Sequence, residues 1–337
     1  MTFSRLHPFT SLAVLLAVLA LCLLGLHHGW VAACLFFVAL GFSLLEFKKY
    51  TSWFQFSMIL ATSLGLGVVL DLEFGTHGLL TVSLFLASAA VIARQAFMQQ
   101  FTYVNLLWLD SGVALLATAL YLSVVIRTPF NWVLWLLPLL PLACAVGLTF
   151  SYIQDAQQML KRTKFGYKVQ VGRPAPDFEL PDQTGALVRL SDYRGKHPVL
   201  LIFVRGDWCP GCHMMLRTYE RNRMRFMEKG VHLVGVGPDD IGVNKDMVAR
   251  IGVGYRMLSD DAQAVSGQYG VVYSNPIIEQ LGVDYAEGIP LPASFLVDAE
   301  GIIRYVSRPD RVGEFLDPSL IFGHLDQLPA KGQVAWS

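Results

Sequence analysis

The first half of this chain is nearly free of charge. Residues 1–150 hold only five of the 26 basic and four of the 26 acidic residues of the 337-residue protein. Charged residues make up 15% of the whole chain, against about 25% in an average soluble domain. This scarcity excludes a purely water-soluble first half. A formal net charge of zero gives no reason to expect nucleic acid as a partner.

Cysteine is also scarce, and five residues are too few for a disulfide-rich secreted scaffold. Cys22, Cys34 and Cys144 lie in apolar runs, and we interpret them as small packing residues; the alternative is an electron relay through a membrane. Cys209 and Cys212 stand alone after residue 150, without the second Cys-x-x-Cys pair that a zinc site commonly uses. We therefore predict no metal site and no cofactor.

Long apolar runs fill the charge-poor half. They cover about 9–26, 30–46, 54–70, 74–93, 104–126 and 131–152. A bilayer span needs about 20 apolar residues, within a range of about 17–25, so the third run is short and the fourth needs polar residues to reach full length. The sequence predicts an all-α transmembrane domain of about six helices over residues 1–152, in contact with the lipid bilayer.

The loops between these runs differ in basic residues. With six spans, one side carries Arg5, Lys48, Lys49, Arg94, Lys161, Arg162 and Lys164, and the other side carries Arg127. Basic loops remain in the cytoplasm, so we expect an integral protein of a bacterial-type inner membrane with both termini and its second domain on the cytoplasmic side. The first run lacks a cleavage site and is expected to be a retained anchor. Asp110 is expected to reach the membrane interface.

Short apolar runs alternate with helical patterns in the second half. Residues 153–170 are expected to be a linker, 171–330 a second domain and 331–337 a tail. Strands are expected at 199–204, 231–235, 255–258, 294–297 and 302–306, and helices at 211–228, 241–251, 262–269 and 318–328. The first strand–helix–strand unit implies a parallel pair, and the last two strands are expected to form a hairpin.

A Cys-x-x-Cys pair follows the first of these strands and opens a helix. The segment is Trp208-Cys-Pro-Gly-Cys212. Strand, Cys-x-x-Cys and helix together present a redox dithiol in thioredoxin-type folds. The helix N-terminus stabilises a thiolate through its unpaired N–H groups and its dipole. Cys209 and Cys212 are therefore the predicted redox pair, while His213 is expected to be an exposed helix residue.

Four segments carry a resemblance to a known family. They are Val171-Gly-Arg-Pro-Ala-Pro-Asp-Phe-Glu-Leu-Pro-Asp-Gln-Thr-Gly185, Leu190-Ser-Asp-Tyr-Arg-Gly-Lys196, Arg205-Gly-Asp-Trp-Cys-Pro-Gly-Cys212 and Leu291-Pro-Ala-Ser-Phe-Leu-Val-Asp-Ala-Glu-Gly-Ile-Ile-Arg304. Over about 171–328 the chain resembles the AhpC/TSA (redoxin) superfamily, in its peroxiredoxin-like branch. The resemblance implies an α/β thioredoxin-like fold, and it implies a cis bond before Pro292, facing the dithiol.

The resemblance leaves two assignments of the cysteines open. In thioredoxin-like dithiols the first cysteine, here Cys209, attacks and Cys212 resolves; this is the assignment we favour. In peroxiredoxins the peroxidatic cysteine would fall at Cys212, and the family's upstream proline is replaced here by Arg205. Trp208 is expected to cover the disulfide. Arg205 is either a stabiliser of the thiolate or leaving oxygen, or a solvated charge at the strand end.

These inferences predict a membrane-tethered, thiol-dependent oxidoreductase that reduces peroxides or protein disulfides. Its dithiol would be Cys209–Cys212, with Arg205, Trp208 and Pro292 around it. Its partners would be a peroxide or disulfide substrate and a thioredoxin-type or other thiol reductant. The alternative is a redox sensor, or a membrane electron-relay or transport protein, whose dithiol domain regulates or is fed by the six-span domain.

Overall fold

The structure, a computed structural model of the chain, describes residues 8–45, 53–96, 108–163, 166–273, 285, 288–307 and 318–326. The chain divides into two compact units, Met1–Ala156 and Gln157–Ser337. The described residues of the first unit form helices joined by turns, and the second unit combines strands and helices.

Apolar helices make up the first unit. They are α1 (Pro8–Gly25), α2 (Gly29–Leu45), α3 (Trp53–Phe74), α4 (Leu79–Ala96), α5 (Leu109–Val125) and α6 (Trp132–Thr163). By length and composition, Pro8–Gly25, Phe54–Phe74 and Trp132–Gln158 are long and apolar enough to cross a membrane. Gly29–Leu45, Leu79–Ala93 and Leu109–Val125 are apolar but shorter. The third predicted run, short in sequence, thus becomes one of the longer helices.

A half-buried carboxylate explains why the fourth helix begins later than its apolar run. Asp71 of α3 accepts hydrogen bonds from the backbone N–H groups of Leu80 and Thr81, at 3.1 and 2.9 Å, and from the hydroxyls of Thr76 and Thr81. Asp71 thus accepts N–H groups at the start of α4 as an N-cap residue does, although it belongs to the preceding helix α3. Residues 75–78 therefore form the turn, and α4 starts at Leu79.

Serine hydroxyls join neighbouring helices of this unit. Ser63 of α3 donates to the carbonyl of Leu84 in α4 at 3.0 Å, and Ser88 donates to Ser63 at 2.7 Å. Ser83 of α4 donates to the carbonyl of Ala117 in α5 at 2.8 Å. In a bundle whose surroundings are apolar, such bonds contribute about 0.6 kcal/mol each. They indicate which faces of α3, α4 and α5 pack together.

Four expectations for single residues of this unit are wrong. Asp110 is 1% exposed in the first turn of α5, where the N–H of Ser111 contacts its carboxylate, so it does not reach outward. Cys22, Cys34 and Cys144 are exposed on the outer faces of their helices instead of packing inside. Helices that are apolar all round give no sequence signal for the side that packs.

The second unit is built around a mixed five-stranded sheet. Its strands are β3 (Val199–Phe203), β4 (His232–Gly237), β5 (Arg256–Ser259), β8 (Ala293–Val297) and β9 (Ile303–Val306), in the order β5-β4-β3-β8-β9. β3 pairs in parallel with β4 and antiparallel with β8. The hairpins β1 (Glu179–Pro181)–β2 (Leu187–Arg189) and β6 (Val272–Tyr273)–β7 (Ile289–Pro290) accompany the sheet. This is an α/β thioredoxin-like fold.

The helices of the second unit alternate with these strands along the chain. They are α7 (Pro210–Arg221), α8 (Arg223–Glu228), α9 (Ile241–Ile251), α10 (Ala264–Tyr269) and α11 (Ser319–Leu325), with a 3₁₀ turn at Leu190–Tyr193. The five predicted strands and the antiparallel pairing of the last two are confirmed. The single helix predicted over 211–228 is two helices that meet at Asn222, and the two small hairpins were not predicted.

The expected cis bond before Pro292 is wrong. No cis peptide bond occurs among the described residues, which include Leu291 and Pro292. The N–H of Leu291 donates to the carbonyl of Val271 at 2.5 Å, so the extended pairing of β6 with β7 continues up to the proline. The trans form of an X–Pro bond is also favoured by about 0.5–1 kcal/mol.

The central strand brings the Cys-x-x-Cys pair to one edge of the sheet. All five residues of β3 are buried, and the chain leaves this strand at Val204 and enters α7 at Pro210. Phe203 is registered with Ala293, the first residue of antiparallel β8. Pro292 therefore lies at the same edge of the sheet as residues 204–209.

Candidate dithiol site

Cys209 is the N-cap of α7. Its backbone is extended (φ −94°, ψ 104°), and its sulfur accepts the backbone N–H of Cys212 at 3.3 Å. Sulfur here takes the place of the oxygen that Ser or Asp provides at most helix starts. A thiolate at this position would accept the same N–H group at the positive end of the helix dipole.

Cys212 lies one turn further along and is enclosed by protein. Its side chain is 1% exposed, against 7% for Cys209, and the two Sγ atoms are 2.8 Å apart. Burial, followed by the hydrogen bond to Cys209, raises the pKa of the Cys212 thiol well above its ordinary value. The N–H of Arg205, 3.3 Å from Cys212 Sγ, and the charge of Arg205 oppose this rise. Cys212 is therefore held as a thiol beside the more accessible Cys209.

Arg205 is buried beside the dithiol and is not a solvated strand-end charge. The residue is 6% exposed, and its guanidinium donates to the hydroxyl of Tyr273 at 2.7 Å. Its Cζ atom lies 5.0 Å from the ring centre of Trp208, whose Nε1–H donates back to the carbonyl of Arg205 at 3.1 Å. Arg205 was predicted either to stabilise the thiolate or leaving oxygen or to be a solvated charge, and the structure places it close to the sulfur of Cys212.

Asp207 joins the loop before Cys209 to three other elements. Its carboxylate contacts Nε2 of His213 in α7 at 3.0 Å and the guanidinium of Arg250 in α9. Its backbone N–H donates to the carboxylate of Asp239, just after β4, at 2.7 Å. These bonds hold the loop from both its side chain and its main chain. We expect them to position Cys209.

The expectation that His213 is exposed is wrong, because the residue is fully buried. Burial, which outweighs the attraction of Asp207, lowers the pKa of His213, and Arg217 and Arg250 lower it further. The neutral ring donates from Nε2 to Asp207, and its buried Nδ1 has no hydrogen-bond partner within the described structure. His213 falls on the inner face because α7 turns its residues 212, 213, 215, 216 and 219 towards the core.

A tyrosine–carboxylate pair covers the same loop. The hydroxyl of Tyr285 donates to Asp239 at 2.8 Å. Burial raises the pKa of Asp239, against the hydrogen bonds from Tyr285 and Asp207, and burial and Asp239 raise that of Tyr285. Gly206 has a φ of +125°, and a Cβ there would collide with the Tyr285 hydroxyl. Gly206 thus allows both the backbone conformation and the close approach of the tyrosine.

Four of the five predicted site residues come together at this edge. Arg205, Trp208, Cys209 and Cys212 are linked by the contacts above, and the strand register places Pro292 at the same end of β3. Sequence analysis missed Asp207, His213, Tyr273, Asp239 and Tyr285. Asp207 and His213 flank the motif and could have been examined for that reason. The other three are distant in sequence and carry no local signal.

The arrangement can carry out two-electron thiol chemistry. A cysteine at a helix N-terminus can attack as a thiolate, and a second cysteine within bonding reach can then close the disulfide. Among the described residues, no three His, Cys, Asp or Glu side chains gather in a way that could hold a metal ion.

Comparisons with known proteins relate the second unit to thiol oxidoreductases. The sequence model of the AhpC/TSA family matches residues 171–306. The chain is 30% identical over 167 residues to thiol-disulfide oxidoreductase ResA of Bacillus thuringiensis, covering 48% of this chain and 79% of that protein. It is 27% identical over 139 residues to chloroplastic peroxiredoxin Q of Oryza sativa subsp. japonica, covering 41% of this chain and 59% of that protein.

Among solved structures, peroxidoxin BcpB from Mycobacterium tuberculosis aligns with a TM-score of 0.41 and 22% identity. The alignment covers 48% of this chain and 99% of that one.

Proposed function

Since this chain belongs to the AhpC/TSA family through residues 171–306, we propose that it is a thiol-dependent oxidoreductase that reduces a peroxide or a disulfide with the Cys209–Cys212 dithiol. One observation carries the proposal: an N-cap cysteine lies 2.8 Å from a second, fully buried cysteine in the first turn of the same helix. That pair can form a disulfide without moving the loop or the helix.

The electrons balance in the same way for either substrate. With a peroxide, the thiolate attacks one oxygen, the O–O bond breaks and the other oxygen leaves as water or an alcohol; the sulfenic acid then reacts with the second thiol to give the disulfide and water. With a disulfide, the thiolate attacks one sulfur to form a mixed disulfide and releases the first substrate thiol, and the second thiol then displaces the remaining substrate sulfur as a thiol. In both cases two electrons leave the dithiol, and a cellular dithiol reductant, proposed as thioredoxin-type, must return them.

Cys209 is the proposed nucleophile. It is the more exposed of the two sulfurs and accepts the N–H of Cys212 at the start of α7. Cys212, whose pKa is raised by burial, is suited to remain a thiol until its proton is needed by the leaving group. Arg205 and Trp208 border the pair and are proposed to stabilise the reacting sulfur and to shield the disulfide from water.

The test is to expose the full chain and its Cys209→Ser and Cys212→Ser variants to hydrogen peroxide and then analyse them by mass spectrometry. We expect sulfenate on Cys209 in the Cys212→Ser protein, little oxidation of Cys212 in the Cys209→Ser protein, and an intramolecular disulfide in the parent. Sulfenate on Cys212 alone would reverse the assignment. A reduced dithiol that consumes neither peroxide nor disulfide would overturn the function.

The two substrate classes are separated by rates. Thioredoxin-coupled turnover of the full chain would be compared on hydrogen peroxide, on an organic hydroperoxide and on a protein disulfide. Resemblance to peroxiredoxin Q favours peroxides, while resemblance to ResA and the Cys-x-x-Cys pair favour disulfides. The substrate with the larger kcat/KM defines the class.

We further propose that the apolar helices of the first unit anchor the enzyme in a bilayer, with the dithiol unit on the cytoplasmic side. Three helices of spanning length and three shorter apolar helices support the anchor. The excess of basic residues on one set of loops in the sequence supports the orientation.

A further inference from the structure

The segment that follows the dithiol helix is unusually basic. Residues 217–229, from the middle of α7 to just beyond α8, contain five basic and two acidic residues. The whole of residues 151–337, by contrast, is close to neutral. Positive charge is therefore concentrated on one part of the second unit.

Two pairs account for part of this charge. Arg223 binds Glu220 at 2.9 Å, and Lys229 binds Asp326 of α11 at 2.6 Å. Both pairs lie within the second unit, and in each pair the two charges neutralise each other. They leave three further arginines, the half-buried Arg217 and the exposed Arg221 and Arg225, together with the exposed Glu228.

Arg221 and Arg225 contact neutral groups in the structure as described. Arg221 donates to the hydroxyl of Thr218 at 2.8 Å. The guanidinium of Arg225 lies 4.1 Å from the ring centre of Phe322 and 3.4 Å from the side-chain oxygen of Asn222. Both arginines are exposed. Their charge is thus displayed on the surface.

Two exposed methionines lie in the same segment, Met224 just before Arg225 and Met227 two residues after it. Met224 is 62% exposed and Met227 is 40% exposed. Residues three and four apart share a helix face, and Met224 and Met227 are three apart. A flexible thioether side chain fits irregular apolar surroundings. We call Arg221, Met224, Arg225 and Met227 the basic methionine surface.

We propose that the basic methionine surface docks on anionic lipid headgroups. Exposed cations and apolar side chains within one short segment are the chemistry of a membrane-surface contact, in which each basic residue contributes and the apolar groups enter the interface. The inference rests on the proposed membrane anchor, because the anchor tethers the second unit to a bilayer. Charge complementarity selects anionic over zwitterionic lipid.

The test places the full chain in nanodiscs of phosphatidylcholine, with or without phosphatidylglycerol, and measures hydroxyl-radical oxidation by mass spectrometry. Ile241 and Val243 of α9, each 37% exposed, are the internal reference. We expect Met224 and Met227 to be oxidised several-fold more slowly, relative to the reference, only in the discs that contain phosphatidylglycerol. High salt should remove this protection because it screens exposed charges.

A matched pair of variants tests the role of charge. Arg221→Gln removes a cation from the surface, and we expect the occupancy of the docked state to fall about fivefold. Lys245→Gln removes an exposed cation from α9 and should leave the protection of Met224 and Met227 unchanged.

Other outcomes overturn the inference in distinguishable ways. Equal oxidation in both kinds of disc, with the chain embedded, would refute lipid docking and leave the anchored oxidoreductase intact. Protection that appears only when an acidic protein such as thioredoxin is added would assign the surface to a protein partner. Failure of the chain to enter either disc would refute the anchor and this inference together, while peroxide and disulfide reduction would still test the dithiol.

Discussion

At the scale of single residues, the two cysteines of the site differ although they are neighbours. Cys209 caps the helix and retains some contact with water, whereas Cys212 is enclosed. The sequence places both in a redox motif and favours Cys209 as the attacking cysteine, but it does not show the difference in burial, which arises from packing around Cys212. The deeper burial of Cys212 is the basis on which Cys209 is proposed as the nucleophile.

The first prediction concerns thiol alkylation. In Cys209→Ser, the remaining Cys212 should react with iodoacetamide many-fold more slowly at neutral pH than Cys209 does in Cys212→Ser. Burial raises the pKa of Cys212, so its alkylation rate should keep rising at pH values above the ordinary thiol range of about 8.5. The measurement is the alkylation rate of each site against pH, by mass spectrometry.

Urea-unfolded samples provide the control, since both thiols should then titrate alike. Faster alkylation of Cys212 than of Cys209 at neutral pH would contradict the assignment of Cys209 as nucleophile.

The second prediction concerns His213, whose pKa is lowered by burial. The unfolded chain binds a proton at about pH 6.5, where the folded protein does not, so stability should be full above that pH and decline as pH falls towards the folded pKa. His213→Gln keeps a donor for Asp207 and removes the titration. Its second unit should therefore lose less stability than the parent between pH 7.5 and pH 5, as measured by pulse proteolysis in urea.

An equal loss in the parent and in His213→Gln would show that other groups carry the acid sensitivity. Asn in place of the exposed His324 is the matched control, and its pH profile should follow that of the parent.

At the scale of elements, Asp207 is the junction of the site. It connects the loop after β3 to α7, α9 and the end of β4. The elements themselves can be predicted from sequence: the helix predicted over 241–251 coincides with the observed Ile241–Ile251, which an N-cap Asp240 and a left-handed Gly252 frame. Contacts between elements could not be predicted, since Asp207 and Arg250 are 43 residues apart.

The third prediction compares two partners of Arg250. Asp207→Ala removes the carboxylate that both His213 and Arg250 contact, and it should destabilise the second unit by about 2–3 kcal/mol. This is below the 3–5 kcal/mol of a fully broken buried pair, because Arg250 still has Asp246. Asp246→Ala, whose side chain is 73% exposed, should cost at most about 1 kcal/mol. Urea denaturation of both variants gives the comparison.

If Asp207 positions Cys209, Asp207→Ala should also slow sulfenate formation on Cys209 when it is combined with Cys212→Ser. This rate is measured without urea, where the protein is folded. If Asp207→Ala and Asp246→Ala changed stability and sulfenate formation equally, Asp207 would not be a positioning residue for Cys209.

Helix α7 shows where element prediction from sequence stops. The apolar spacing favours one helix over 211–228, and no proline or glycine interrupts it. The break at Asn222 instead follows from side-chain contacts: Asn222 bonds the carbonyl of Thr218, and Phe226 of α8 stacks on Phe322 of α11. Tertiary packing therefore decides the break.

At the scale of the whole molecule, the uneven distribution of charge anticipated two dissimilar units. The helical unit follows from long apolar runs, and the mixed sheet follows from short apolar runs that alternate with helical patterns; both are visible in the sequence. The small hairpin β6–β7 and the approach of Tyr285 to Asp239 were not visible, because they depend on how distant segments meet.

The fourth prediction concerns orientation. Protease added to inside-out bacterial membrane vesicles should remove the second unit and leave a membrane-bound fragment that ends after α6. In right-side-out vesicles the second unit should be protected until detergent is added. A trapped cytoplasmic protein is the control for vesicle integrity, and digestion from the outer face would contradict the proposed cytoplasmic side.

The short gap between the two sulfurs has a consequence for signalling. Oxidation joins atoms that already touch within one helical turn, so the dithiol and the disulfide present almost the same outline to the surroundings. A partner that recognises only the shape of the surface would then bind the dithiol and the disulfide equally. Only a partner that exchanges electrons with the pair would distinguish the two states. The redox state of this protein would then be passed on only by thiol–disulfide exchange with each partner that it meets.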